Sequence, residues 1–285
     1  MKIAWTWIKR VLLILFVGVL LFQIWMLRGS HGRMLRRNQL ANNYQYSSTP
    51  TLMIPGWGGG TWSTDKMIQT FQRKNIGQKL MTIWVFPNGK TIVHGHYQPG
   101  QKNVLIQLLY VWNCSASYHP QVRELSAVLK DLHQRYHITK LNIVAHSYGG
   151  TEFIHAYLGS KYIQRMIDFR KIVFLGVPVD ESFGTKTRYR WTLAKRSTDD
   201  NFKKLEKEAK AVHTHHNDQV FNLMGSKDQQ RTDGSVPHVQ SEMLRNLVKD
   251  TSARYFEHVY PRTSHPMLHQ KSNIINDVAH DLWGY

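Results

Sequence analysis

Short apolar runs alternate along this chain with longer amphipathic stretches. Residues 49–54, 81–86, 103–111, 141–145, 171–175, 219–224 and 254–260 are each of strand length and mostly apolar. Runs of this kind, bounded by polar or Gly-rich turns, fit strands buried on both faces. Between them lie stretches with helical spacing. Residues 118–137 carry Val122, Leu125, Val128, Leu129, Leu132 and Tyr136 on one face, with Pro120 in the first turn. Helices are also expected from Ser63-Thr64-Asp65 to about 74, over 151–158, over 239–249, and at the end to Leu282. Asn88-Gly89 turns the strand at 81–86 back into one at 91–96. Strand, helix, strand, helix in this order implies a parallel sheet with crossover helices.

Two stretches break the rhythm. Residues 11–27 are apolar except for Gly18 and Gln23, and extend back through Trp5, Trp7 and Ile8. That length crosses a hydrocarbon layer, with Trp5, Trp7 and Trp25 near its interfaces. Basic flanks on both sides argue against a buried soluble helix. No small-x-small cleavage site follows Leu27, so an uncleaved signal anchor is expected over residues 1–28. Both flanks being basic, charge bias does not choose the orientation. Residues 29–48 read as a basic linker and 49–285 as the folded domain. Within it, residues 180–216 are long, polar and strongly basic, as a cap or lid over the strand ends would be.

Composition sharpens this picture at three points. The 285 residues suffice for one α/β domain with a sizeable core. The formal charge is +18, and seven of those charges lie in the first 37 residues, which hold no acid. Such a balance favours anionic surroundings such as lipid headgroups. No zinc finger, RNP-like run or helix-turn-helix pattern accompanies it, so a nucleic-acid partner is not expected. The single Cys114 permits no internal disulfide; it reads as a small, partly buried residue after a strand. His213, His215 and His216 lack the Cys or carboxylate partners that a metal site needs, so neither metal nor cofactor is expected.

The candidate chemistry lies in Ala145-His146-Ser147-Tyr148-Gly149-Gly150, where the strand at 141–145 ends abruptly before a helix. A Ser on such a strained turn projects its hydroxyl above the sheet edge, provided its neighbours two positions away are small. Ala145 and Gly149 meet that need. Ser is a poor nucleophile until a base takes its proton, and the base needs an orienting carboxylate. Loops after the next-to-last and last strands supply both, in the order Ser147, Asp228 or Asp233, His265. The loop Pro55-Gly56-Trp57-Gly58-Gly59-Gly60, after the first strand, can lend a backbone N–H to an oxyanion hole. Trp57 is the candidate there, together with Tyr148 after the nucleophile.

These motifs resemble the α/β-hydrolase superfamily, most closely the membrane-anchored cell-surface hydrolases of Gram-positive bacteria. The resemblance spans roughly residues 48–285. It rests on the N-terminal apolar segment, the Gly-rich loop, the His-Ser-x-Gly-Gly elbow, Asp233-Gly234-Ser235-Val236 and the late Ser264-His265. It implies a mostly parallel sheet with helices on both faces, and a catalytic domain outside the cell. In related lipases the Asp of the Asp-Gly-x-Val segment is the triad acid, which favours Asp233 over Asp228. Pro55 stands where the family often has His, and Ala145 replaces the first elbow Gly. The activity implied is hydrolysis of a small-molecule or lipid ester through an acyl-serine. Acyl transfer, thioester or amide cleavage on the same residues remains open, as does a binding protein that has lost turnover.

Overall fold

The computed structural model describes residues 2–179, 200–212 and 217–285. Eight strands form one sheet: β1 (Thr51–Ile54), β2 (Gln78–Val85), β3 (Thr91–Gly95), β4 (Val104–Tyr110), β5 (Lys140–His146), β6 (Asp168–Leu175), β7 (Gln219–Ser226) and β8 (Arg254–Pro261). Their order is β3-β2-β4-β1-β5-β6-β7-β8, with only β3 antiparallel to its neighbour. This is the α/β-hydrolase sheet the sequence leads one to expect. The apolar runs are continuous because both faces are covered, and successive side chains point to opposite faces. Leu52, Ile54, Ile106, Ile143 and Phe174 join one core, and Met53, Leu105, Val144 and Val173 join the other.

Helices close both cores. The chain supplies α1 (Lys2–Met26), α2 (Asp65–Arg73), α3 (His119–Tyr136), α4 (Tyr148–Leu158), α5 (Lys161–Met166), α6 (Asp200–Lys210), α7 (His238–Glu242), α8 (Leu244–Val248) and α9 (Ser272–Trp283). α3 and α4 cover the first core through Leu125, Val128, Leu129, Phe153 and Ile154. α2 and α9 cover the second, where Phe71 meets Trp283 edge-on at 5.2 Å between ring centres. Two expectations need correcting. The helix at 239–249 is interrupted at Met243 into α7 and α8. α5 was not expected; Ser160 caps it by accepting from the Ile163 N–H at 3.4 Å.

Most of the expected 180–216 insertion lies outside the described residues, as do His213, His215 and His216. Its described part, α6, is amphipathic. Phe202, Leu205 and Ala209 are buried in the first core, while Lys203, Lys204, Lys207 and Lys210 face solvent.

Residues 28–48 hug the domain through polar contacts. The Ser30 N–H donates to Gln107 Oε1 (2.8 Å), and Lys79 Nζ donates to the Ser30 carbonyl (2.5 Å). The Arg33 N–H donates to Gln72 Oε1 (2.6 Å), and the Arg36 N–H to Asn75 Oδ1 (2.8 Å). The stretch thus runs back along β2 before entering β1 from the other edge of the sheet. α1 is different. Residues 7–26 are long and apolar enough to cross a membrane, and they are exposed along almost all their length.

Two carboxyls are buried between α3 and α4. Glu124 and Glu152 are each 1% exposed and lie against the equally buried Tyr110 hydroxyl. Burial raises Glu124 to about 7 and pushes Glu152 well above the ordinary carboxylate range. In the unfolded chain both ionise near the ordinary value, so the native state holds the extra protons. The stability this confers is complete below that value and is lost as pH rises toward 7. Glu124→Gln should therefore narrow the gap in Tm between about pH 5 and about pH 8, read by thermal denaturation of both proteins. An unchanged gap would contradict this assignment.

Candidate active site

The elbow is built as the residue pattern requires. β5 ends at His146, and Ser147 takes φ 51° and ψ −130° before α4 begins at Tyr148. A non-Gly residue at this φ is strained and has to be held in place. The Ser147 N–H donates to the Leu175 carbonyl on β6 (2.9 Å), and its carbonyl accepts from the Gly150 N–H (2.9 Å). Small neighbours are required by contact. A Cβ on Gly149 would lie 2.3 Å from the Pro55 carbonyl oxygen, and Ala145 is fully buried between β1 and β6.

Three loops bring the side chains of Asp233, His265 and Ser147 together. His265, after β8, lies with Nε2 at 2.8 Å from Ser147 Oγ. Its Nδ1 is 2.6 Å from Asp233 Oδ2, after β7. Asp233 is buried, and its other oxygen accepts from the Ser235 and Val236 N–H groups (2.8 and 2.7 Å). Those two bonds aim Oδ2 at the imidazole. The Asp233 carbonyl also accepts from the His265 N–H (2.9 Å), which ties the two loops together. Asp228 is placed elsewhere: it is exposed in the turn over residues 227–229, at φ 51°.

The Gly-rich loop lies against the elbow. A Cβ on Gly56 would come within 2.8 Å of Ser147 Cβ, so Trp57 follows directly on this contact. The Gly58 N–H is held by the Asn113 carbonyl (2.6 Å) and the Gly59 N–H by the Gly56 carbonyl (2.9 Å). Asn113 Nδ2 in turn donates to the Gly56 and Gly59 carbonyls, each at 2.8 Å. The backbone around Trp57 is thereby fixed, and Tyr148 stands at the N-terminus of α4. Trp57, Trp62, Ser147, His265 and Pro266 line a small cleft of roughly 90 Å³. A separate apolar cavity, bordered by Phe153, Tyr157, Phe169 and Leu247, shares no lining residue with it.

Two further histidines border this cleft: His146, which the elbow motif contains without a role, and His269, which no motif contains. The His146 and His269 rings each lie 4.5 Å from a neighbour in the row His265, His146, His269. Burial, reinforced by the neighbouring imidazoles, holds His146 well below the ordinary histidine range. Burial followed by His265 lowers His269 to about 4. Both are therefore neutral at pH 7 and lie to one side of the His265 imidazole, which bonds Ser147. His146 Nε2 also lies 3.3 Å from the His265 carbonyl oxygen. Cys114 differs from expectation, being an exposed free thiol in the loop after β4.

Gly176, at the end of β6, makes a sharp test of this geometry. Its φ is +58°, and a Cβ there would meet Asp233 Oδ2 at 2.8 Å and His265 Nδ1 at 3.2 Å. Gly176→Ala should therefore push the two side chains apart. We expect a fall of about 10–100-fold in kcat/KM with KM little changed, since small misplacements of reacting groups are costly. Steady-state kinetics would check it; wild-type kcat/KM would contradict the assigned packing.

Comparison with known proteins agrees with this architecture. The structure of a Listeria innocua gene product aligns with a TM-score of 0.69 at 22% identity, over 83% of this chain and 94% of that one. A Lactobacillus plantarum protein described as a candidate cell surface hydrolase aligns at 0.64 and 16% identity, over 81% and 88%. At these identities the likeness concerns the fold. No curated protein matches the chain. The model of a family described as alpha/beta hydrolase of unknown function (DUF915) matches residues 38–285. With its sheet order, its elbow and that match, the chain belongs to this family of α/β hydrolases.

Proposed function

We propose that this protein is a membrane-anchored serine hydrolase that cleaves carboxylic esters through an acyl-Ser147 intermediate. The observation that carries the reading is His265 bridging Ser147 Oγ at 2.8 Å and Asp233 at 2.6 Å. In this reading Ser147 Oγ attacks the ester carbonyl carbon as its proton passes to His265 Nε2. The backbone N–H groups of Trp57 and Tyr148 hold the resulting oxyanion. Collapse of the adduct breaks the carbon–alkoxy bond, and the alcohol leaves with the proton held by His265. Water then attacks the acyl carbon, giving its proton to His265. The carboxylic acid departs and Ser147 regains its proton. Asp233 keeps Nδ1 protonated and steadies the imidazolium, and no metal or cofactor takes part in these steps.

α1 serves as the uncleaved anchor, with the catalytic domain outside the cell. The length and exposure of residues 7–26 and the basic residues at both ends support the anchor, and the outside placement rests on the likeness to a protein described as a cell surface hydrolase. Thioesters and amides would pass through the same acyl-enzyme, and only a substrate panel separates them. The test is to mix the full chain with an activated aryl ester, quench early, and map the acyl group by peptide mass. An acyl group on Ser147, faster with esters than with matched thioesters and amides, is the expected result. Acylation elsewhere, or none by a folded protein, would overturn the reading and favour a binding role.

A further inference from the structure

The last turn of α1 is fastened to the same sheet edge that carries Ser147. Gln23 Nε2 donates to the Val111 carbonyl (2.6 Å), and Thr61 Oγ1 donates to the Met26 carbonyl (2.8 Å). Trp84 Nε1 donates to the Leu27 carbonyl (2.7 Å). Thr61 follows β1, Val111 follows β4, and Trp84 is near the end of β2. These are the carboxyl ends of parallel strands, where the loops bearing Ser147, Asp233 and His265 also emerge. The join is tight, because a Cβ on Gly60 would lie 2.7 Å from the Met26 carbonyl oxygen.

The level of this join matters. Gln23 lies inside the 20-residue apolar span 7–26, about 4.5 Å along the axis before Met26 at an ordinary helical rise. The loop that begins at Val111 is therefore level with the last membrane-length turn of α1. Its next residue, Trp112, is 56% exposed, and Trp25 on the helix itself is 46% exposed. Trp57 (52% exposed) and Trp62 (40%) border the cleft, and Met267 is also exposed beside it. Asn113 holds the Gly56 and Gly59 carbonyls, and Trp57 Nε1 donates to the Ser115 carbonyl (2.8 Å), so these indoles belong to one braced surface. Exposed Trp side chains on loops of one sheet edge beside the end of α1, with Arg28 stacked on Trp25 at 5.7 Å, are the composition of a membrane–water interface. Lys66, Arg262 and Lys271 add positive charge on loops and helices of the same edge, which suits anionic headgroups.

We propose that the mouth of the Ser147 cleft is seated in the headgroup layer of the bilayer that holds α1, so that its substrate is an acyl ester carried by a membrane amphiphile. The substrate half of this rests on the esterase reading; the seating of the cleft does not. A lipid ester reaches Ser147 with its acyl chain still largely in the bilayer, and the scissile carbonyl lies at the depth where Trp57 and Trp62 stand. Tethering also keeps the substrate concentration at the mouth high without contacts to recruit it.

Depth measurement on the full chain in vesicles of phosphatidylcholine and phosphatidylglycerol tests the seating. In a Cys114→Ser background, a fluorophore is attached through Trp112→Cys or through Gln98→Cys. Gln98 is exposed in the loop before β4, at the opposite edge of the sheet. Brominated acyl chains should quench the label at 112 and leave that at 98 unaffected. Equal quenching at the two positions would overturn the seating. The substrate half is tested by Trp112→Asp, whose exposed side chain lies outside the cleft. Turnover of a fluorogenic acyl lipid in those vesicles should fall about tenfold or more, while a water-soluble short-chain ester is cleaved as by wild type. Equal effects on the two esters would overturn the lipid assignment. A wild type that cleaves neither ester would remove the esterase reading, and the quenching result would still decide the seating.

Discussion

Replacing Ser147 by Ala should reduce ester turnover by about 10⁴-fold or more, to the level left by binding and oxyanion contacts alone. The fold should survive. Ser147 Oγ bonds His265, and its backbone N–H and carbonyl, which hold the elbow, are untouched by the change. Ala meets the same strain at φ 51° that Ser does. Thermal denaturation should therefore give a Tm close to wild type while kcat collapses. Turnover within a few-fold of wild type would show that the chemistry lies elsewhere. Loss of both turnover and Tm would mean that Ser147 holds the elbow together, a role its contacts do not indicate.

The second large effect separates two carboxylates five residues apart. Asp233→Asn should cost about 10³–10⁴-fold in kcat, and Asp228→Asn no more than about twofold. The two N–H groups of Ser235 and Val236 fix how the new amide sits, because they demand an oxygen where Asp233 Oδ1 lies. The NH₂ group is then turned toward His265 Nδ1, which must become an acceptor. The proton moves to Nε2, and the imidazole can no longer take the Ser147 proton. Asp228 is exposed in its turn and takes no part in this chain of bonds, so its amide changes nothing that reacts. Kinetics on both variants would check the pair. Equal losses, or a larger loss at Asp228, would contradict the assigned geometry.

Much of this was legible in the sequence because the physics behind it is local. Runs such as Leu52-Met53-Ile54 are apolar throughout since their alternate residues enter different cores. Ser147 could be placed from its small neighbours, and His265 from its place after the last strand. Spacing alone did not choose between Asp228 and Asp233. The choice appears in space through the N–H groups of Ser235 and Val236, which a one-dimensional pattern does not record. His146 and His269 escaped for a related reason. Their rings meet only because the tight turn at residues 265–269 folds His269 back beside the elbow, more than a hundred residues from His146.

Residues 28–48 carried the opposite lesson. They read as a basic linker because they are polar and positively charged, yet polar side chains of the domain receive them: Gln72, Asn75, Gln78 and Gln107 bond their backbone. An apolar pattern is the usual sign of packing, and here the packing is done by hydrogen bonds. The same stretch carries the chain from the end of α1, at the site edge, to the start of β1 at the other. That path is what fixes the cleft relative to the helix, and no composition argument could have supplied it.

The most direct test of the central claim is covalent labelling with a fluorophosphonate probe, applied to wild type and Ser147→Ala and followed by peptide mapping. One label is expected, on Ser147, lost in the Ala variant and weakened in Asp233→Asn. Well-folded wild type that takes no label, or a label carried by another residue, would contradict it.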